Sequence, residues 1–355
     1  MKSKQKKINA FDANGVGIKG NNIFGLPFDE NESEVIIIPV PWEVTVSYAQ
    51  GTADGPEAVF KASYQVDLFD REIKDAWKTG IYMLEIPNDL KKKSNKYRKK
   101  AISIIQQLEQ GVSQDDTSLK KDYQEINEAC EKMNEYVKET TYKYLKAGKC
   151  VALLGGDHST PLGFFQALNA MGKPFSILQI DAHADLRTAY EGFQYSHASI
   201  MTNALQLENI EKLVQVGIRD FCEEEYLTVK NSNGRVICFY DEDIKNAKIE
   251  GRTFKKITQE IINSLGDLVY ISFDIDGLDP KYCPNTGTPV AGGFEVSEVL
   301  YLIKKLQESG KTIIGFDLNE VAPGNDEWDA NVAARLLYKF CNTMAVSQGK
   351  IYDEK

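Results

Sequence analysis

Seven short runs rich in Val, Ile and Phe constrain this chain more than any other feature: Val35 to Val40, Cys150 to Leu154, Phe175 to Ile180, Leu213 to Val216, Arg235 to Tyr240, Leu268 to Phe273 and Thr312 to Phe316. Their length and β-branching suit strands buried on both faces. Amphipathic stretches separate them. In Asp122 to Lys146, the residues Ile126, Cys130, Met133, Val137 and Tyr144 recur at helical spacing before Gly148 ends the helix. This alternation predicts a three-layer α/β/α sandwich with a mostly parallel central sheet. A length of 355 residues would admit two or three domains, but α/β folds also reach this length as one, and residues 1–355 are read as a single domain. Residues 87–122 form the most polar stretch, with basic positions from Lys91 to Lys100, and read as an exposed insertion leading into the long helix.

Charge and cysteine content exclude several functions. A formal charge of -10 argues against a nucleic-acid partner, which needs a basic surface. The basic start MKSKQKKINA is followed by no apolar segment, and no run reaches membrane-spanning length, so no membrane partner is expected and the chain is read as cytoplasmic. Six scattered cysteines without a C-x-x-C pair indicate buried reduced thiols, neither a disulfide framework nor a zinc ribbon.

The three histidines all lie in short polar clusters: Gly155-Gly156-Asp157-His158, Asp181-Ala182-His183-Ala184-Asp185 and Tyr195-Ser196-His197. A fourth cluster, Ser272-Phe273-Asp274-Ile275-Asp276-Gly277-Leu278-Asp279-Pro280, carries two more aspartates two residues apart. Most of these clusters, and Glu320 with them, fall at the carboxyl ends of the apolar runs, the edge where open α/β sheets bind ligands. His158, Asp181, His183, Asp185, Asp274 and Asp276 could thus supply two imidazoles and four carboxylates to metal. Hard oxygens with a minority of nitrogens suit Mn2+ or a similar divalent ion, and Ni2+, Co2+ or iron can occupy such sites when available. Two-residue spacing puts side chains on one side of a strand end, so that one carboxylate can bridge two ions that share and acidify a water. Each element also has a plainer reading. An Asp-x-Asp is common in turns. Gly155 to His158 could be a tight turn with Ser159 or Thr160 capping the next helix. Asp157 could orient a ligand rather than be one. His197 alone could be a satisfied structural histidine.

The segments G-G-D-H-S, D-A-H-A-D and S-F-D-I-D-G-L-D-P, in this order, closely resemble the signature motifs of the ureohydrolase family, which includes arginase, agmatinase, guanidinobutyrase and formiminoglutamase. The resemblance runs from about Pro39 to Leu337 and includes Gly51, Gly55-Pro56 and Thr286-Gly287-Thr288-Pro289-x-x-Gly292-Gly293. It implies an arginase-like fold and a hydrolase with two Mn2+ per subunit that cleaves a guanidinium group to urea and an amine. By motif, His158 and Asp185 would hold one ion, His183 and Asp276 the other, and Asp181 and Asp274 would bridge both. Glu320, in Asp317-Leu318-Asn319-Glu320-Val321, matches the glutamate that pairs with the guanidinium, and His197 the histidine credited with moving protons to the leaving amine. Asp276 is a candidate acceptor for the water proton. The resemblance also implies a homo-oligomer, a trimer or hexamer.

Substrate choice turns on what lies beyond the guanidinium. Arginases typically carry an asparagine where this chain has Arg187, and an aspartate where Gly217-Ile218-Arg219-Asp220-Phe221 is followed by Cys222. Asp185-Leu186-Arg187, with Tyr190-Glu191-Gly192 and Tyr195-Ser196-His197-Ala198-Ser199, is more similar to agmatinase-type members. The expected small guanidino substrate is therefore agmatine, with arginine, guanidinobutyrate or guanidine as alternatives, then a formimino substrate or a catalytically silent metal-bound scaffold. Arg187 would welcome a carboxylate if unpaired, and would be structural if paired with Glu191 or another acid.

Overall fold

The computed structural model describes residues 2–351; Met1 and residues 352–355, which the single-domain reading includes, lie outside the described residues. In chain order the elements are α1 (Lys2–Ala10), β1 (Val35–Pro39), α2 (Gly55–Ser63), β2 (Ile81–Met83), α3 (Asn88–Glu109), α4 (Lys120–Lys146), β3 (Cys150–Leu154), α5 (Leu162–Ala170), β4 (Phe175–Ile180), α6 (Ile200–Ala204), β5 (Ile210–Ile218), α7 (Glu223–Asn231), β6 (Val236–Tyr240), α8 (Asp241–Ile249), α9 (Phe254–Asn263), β7 (Leu268–Asp274), α10 (Val296–Glu308), β8 (Thr312–Asn319) and α11 (Trp328–Ser347). All eight strands join one parallel sheet, ordered β2-β1-β3-β8-β7-β4-β5-β6.

Strand periodicity splits the core into two layers. Val35, Ile37, Ala152, Leu178 and Val214 point to one face, against Val59 of α2, Ile261 of α9, Leu302 of α10 and Leu337 of α11. Ile36, Ile38, Leu153, Ile177 and Leu213 point to the other, against Ile104 of α3, Ile126 and Met133 of α4, Phe165 of α5 and Ile200 of α6. The result is the predicted α/β/α sandwich. Among the described residues no helix is long and apolar enough to cross a membrane, and all six cysteines are unpaired, four of them buried.

The seven expected strands are present, and β5, β7 and β8 run further than their apolar runs suggested. β8 extends through Asp317 to Asn319, which carries polar side chains into the centre of the sheet. The eighth strand, β2, has only three residues, too few for a periodic signal. It lies at an edge, where the Asn22 side chain donates to Met83 O (3.1 Å) and accepts from Met83 N (2.7 Å), occupying backbone groups that would otherwise be free to pair with another strand.

The polar stretch 87–122 also differs from an exposed insertion. Most of it is α3, a 22-residue helix whose Leu90, Ser94, Arg98, Ala101, Ile104 and Ile105 form a buried stripe. Its many lysines hid this face, because a narrow stripe leaves most of a helix polar. The long helix α4 ends as expected. Gly148 takes φ 73°, and Lys149 N donates to Tyr144 O (3.0 Å) in a closing motif that needs this left-handed residue.

In the order β3-β8-β7-β4, the chain leaves β3 to build β4 three strands away and returns later to fill the gap. Four adjacent carboxyl ends therefore present their following residues to one crevice, the expected ligand position in such sheets.

Candidate metal centre

His158 stands four residues beyond β3, on a turn that only glycines permit. A Cβ on Gly155 would lie 1.8 Å from Asn319 Oδ1, and one on Gly156 would lie 2.0 Å from Trp42 O. This close approach lets Glu320 N donate to Gly156 O (2.8 Å) and His158 N donate to Glu320 Oε1 (2.8 Å), which locks the β3 and β8 ends together. The alternative reading of this turn, a helix cap by Ser159 or Thr160, is not what forms. Pro161 is the N-cap of α5 and has no side-chain cap bond, while Thr160 donates to Asn319 Oδ1 (2.8 Å) and to Asp157 O.

After β4, Asp181 Oδ1 accepts from His183 N (2.7 Å); after β7, Asp274 Oδ1 accepts from Asp276 N (2.8 Å). These turns hold each aspartate by one oxygen. Asp276 Oδ1 in turn accepts from Ala182 N (3.0 Å), leaving Oδ2 to face His183.

The side chains converge into two overlapping trios, His158-Asp181-Asp185 and Asp181-His183-Asp276, with the ligand atoms in each lying within 4.8 Å of one another. Together they form a binuclear metal-ligand cluster, and Asp181 belongs to both halves. His158 Nδ1 lies 2.9 Å from Asp181 Oδ2, 3.0 Å from Asp185 Oδ2 and 3.4 Å from Asp274 Oδ2; His183 Nδ1 lies 2.9 Å from Asp276 Oδ2. Asp274 is thus brought beside the first trio without being part of either.

The donor set fits divalent ions. Glu320 Oε2 is buried without a hydrogen-bond partner, and His158 Nδ1 and Asp276 Oδ2 are buried with only other members of the cluster beside them, an arrangement that is costly unless a ligand satisfies it. Burial, with Asp276 and Asp181 close by, pushes the Asp274 carboxyl well above its usual range. Burial and Asp181 push Asp185 up to about 7. Crowded buried carboxylates of this kind are what a divalent cation neutralises. No cysteine joins them, which favours a hard ion.

Several residues behind the cluster escaped the sequence reading. His158 Nε2 is 2.9 Å from Ser272 Oγ, which donates to Asp317 Oδ1 (3.2 Å). Gln179 Nε2 donates to Asp181 Oδ2 (2.8 Å), and Gln215 Nε2 donates to Gln179 Oε1 (2.7 Å). Such partners fix ring and carboxylate orientation. Their signal was faint: each is a polar residue flanked by apolar neighbours within a strand. Asp157 is in neither trio. Its carboxylate accepts from Ser159 N (3.0 Å), Ser159 Oγ (2.5 Å) and Val44 N (3.2 Å).

The cluster opens into a cavity of about 200 Å³ that His197 and Glu320 also line, with Ser47, Tyr190, Phe221 and Thr288 as walls. Burial, reinforced by the nearby imidazoles of His183 and His158, lowers the pKa of His197 to about 3. Arg187 sits at the rim, its guanidinium 4.8 Å from the Tyr190 ring centre and its Nε 3.8 Å from Glu225 Oε2. Its acidic neighbour is therefore Glu225, not Glu191. Glu225 is buried and also accepts from Leu186 N (3.0 Å) and Cys222 N (2.9 Å), so it ties the Asp185 loop to the start of α7.

Residues 33–342 match the sequence model of the Arginase family. The chain is 31% identical over 309 residues to an N(1)-aminopropylagmatine ureohydrolase of Thermus thermophilus, covering 86% of this chain and 89% of the relative. An agmatinase of Bacillus anthracis is 29% identical over 311 residues, covering 85% and 88%. In fold, the chain is similar to the crystal structure of an agmatine ureohydrolase of Thermoplasma volcanium, with a TM-score of 0.67 at 23% identity over 96% of this chain and 98% of that one.

Proposed function

The chain belongs to the arginase family of metal-dependent hydrolases, and from that premise we propose that it cleaves a linear guanidino compound to urea and an amine, with agmatine as first-choice substrate. The observation that carries this reading is Glu320. One carboxylate oxygen is held by His158 N, while the other, Oε2, is buried, unpartnered and beside the binuclear cluster. A guanidinium offers planar N–H donors that suit such an acceptor.

In this reading His158, Asp181, His183, Asp185, Asp274 and Asp276 would hold two Mn2+ ions, which when bound would supply a water acidic enough to act as a nucleophile near neutral pH. Glu320 would align the guanidinium and fix the face of its carbon that is open to attack, which offsets the poor electrophilicity of a resonance-stabilised cation. Asp276 would accept the proton released. The departing nitrogen must be protonated before it leaves, and His197, on the same cavity wall and neutral at rest because of its lowered pKa, would relay a proton by giving one to that nitrogen as it accepts one from solvent. A cytoplasmic trimer or hexamer is part of the same proposal, by likeness to the family.

The rim favours a cationic tail. Asp220 and Glu225 line it against the single cation Arg187, whose charge Glu225 partly offsets. With Arg187 and Glu225 set against each other, a guanidinobutyrate carboxylate would still meet the acid Asp220 there. A second reading, an aminopropyl-substituted agmatine, is favoured by the name of the Thermus relative and requires only that the tail continue past the same rim. The test is urea release from Mn2+-loaded protein on agmatine, N1-aminopropylagmatine, arginine, 4-guanidinobutyrate and guanidine. Turnover of one of the first two far above the rest is the expected result. Urea from none of them, with metal bound, would sink the ureohydrolase assignment.

A further inference from the structure

The wall of the cavity that carries Ser47 has no regular structure of its own. Residues 40–51, between β1 and the turn before α2, contain neither helix nor strand. Backbone bonds tie Val40 and Trp42 to the end of β3 and the turn after it, and side-chain bonds from α3 hold Glu43, Val44 and Val46. Three polar residues on one face of α3, at spacings of three and four, bond to this segment or to the turn that follows it. Lys91 Nζ pairs with Asp54 Oδ1 (2.5 Å), Ser94 Oγ accepts from Glu43 N (2.8 Å), and Arg98 Nη1 donates to Val44 O (3.2 Å) and Val46 O (2.5 Å). The Glu43 carboxylate curls the segment by accepting from Gly51 N (3.0 Å) and Ala53 N (3.1 Å).

From there the segment runs into the site on two sides. Val44 N donates to Asp157, the neighbour of His158, and Ala49 N donates to Gly287 O (3.1 Å), beside the cavity residue Thr288. Arg98 is 8% exposed. A guanidinium is costly to bury for packing alone. Burial opposes its charge more than the nearby Glu43, Asp157 and Glu191 favour it, and two loop carbonyls accept from it.

We propose that α3 is a brace for the cavity wall and that Arg98 is its central positioning residue, holding the Val44 and Val46 carbonyls so that Ser47 faces the substrate. The proposal rests on the reading that this cavity binds the guanidino compound. It would make the polar stretch 87–122 a part of the catalytic architecture.

The test uses the full-length, metal-loaded protein with Arg98→Met and Arg98→Lys. Two quantities are read: KM and kcat on the best guanidino substrate, and hydrogen exchange of the amides of residues 44–49 against the rest of the chain. Arg98→Met is expected to raise KM about tenfold with kcat within about threefold, because a displaced wall weakens substrate placement more than chemistry. Exchange should quicken at 44–49 alone, and Arg98→Lys, which keeps a charged donor, should recover most of both effects. An unchanged KM with unchanged exchange overturns the brace. So does a loss of kcat at constant KM with faster exchange everywhere, which is the mark of general destabilisation. Should Arg98→Met fail to fold, Ser94→Ala is read instead, and faster exchange confined to residues 43–49 is expected; no local change there overturns the proposal. If the wild-type protein yields no urea from any substrate, the functional reading fails, while the exchange measurements still decide the brace.

Discussion

Glu320 has φ 61° and Asp185 φ 54°, left-handed conformations that cost a residue other than glycine about 1 kcal/mol or more. Both are held from outside. Glu320 O accepts from Thr286 Oγ1 (2.8 Å) and Asp185 O accepts from Met201 N (3.1 Å). Strain sustained in this way aims each carboxylate at the cluster. The motifs in the sequence named these two residues, yet nothing in a motif discloses a backbone angle or shows that one Glu320 oxygen is already occupied. That occupancy sharpens a prediction. In Glu320→Gln the amide oxygen can still accept from His158 N, so the turn survives, while the amide nitrogen replaces the free acceptor and repels a guanidinium donor. The variant should therefore keep its metal and lose about a hundredfold in kcat/KM, about 2.7 kcal/mol. Asp274→Ala, by contrast, removes a carboxylate from the cluster and should lose metal and activity together. Metal analysis beside steady-state kinetics separates the two, and a Glu320→Gln enzyme with unchanged kinetics would mean that the guanidinium is held elsewhere.

Among the elements, those with a strong period were legible and those held by a few polar bonds were not. The runs at β3, β4 and β7 sit at the centre of the sheet, buried on both faces, and such strands must be apolar at most positions. β2 needs only three residues because Asn22 completes its hydrogen bonding, and α3 hid a six-residue stripe under its lysines. The basic N-terminus is a similar case. Nothing in it suggested a docked helix, yet α1 buries Ile8 in the core and Lys4 donates to Thr79 O (2.7 Å). Lys7 meets Glu32 at 2.5 Å. Burial opposes the charge on Glu32, but hydrogen bonds from Lys7, Ser3 and the Asp29 backbone outweigh it and bring the carboxyl from an ordinary 4.5 down to about 2. A depressed carboxyl contributes stability above its unfolded value and loses it as pH falls through the folded one. Docking of α1 should therefore be intact above pH 4.5 and weaken between there and pH 2. Observing the Glu32 carboxyl by NMR should show a midpoint near 2, moving toward 4.5 in Lys7→Met. A midpoint near 4.5 in the parent protein would mean that this contact does not form in solution.

At the scale of the whole molecule, the strand order converts four separated motifs into one cluster, and this explains why the site was legible from so little. Residues 158, 181–185, 274–276 and 320 follow β3, β4, β7 and β8, and these four strands are neighbours in the sheet. Any chain with that order must bring their ends together; the supports behind them, such as Ser272 and Asp317, depend on pairwise contacts that no period announces. The same convergence places five carboxylates, Asp181, Asp185, Asp274, Asp276 and Glu320, at one buried point with only two imidazoles between them. Like charges at such a point oppose folding unless a cation intervenes. Metal binding should thus stabilise the whole fold and not merely the crevice. An ion present at a hundred times its Kd adds about 2.7 kcal/mol, and for a chain this long that corresponds to a rise in Tm of roughly 4 °C. Chelated protein should show that rise on addition of Mn2+. A net charge of -10 could attract divalent ions to the surface at large, so the control is Asp274→Ala, which retains the surface but loses a cluster carboxylate and should show little or no shift. An equal rise in both proteins would trace the stabilisation to the surface charge, and no rise in either would remove the binuclear cluster as a metal site.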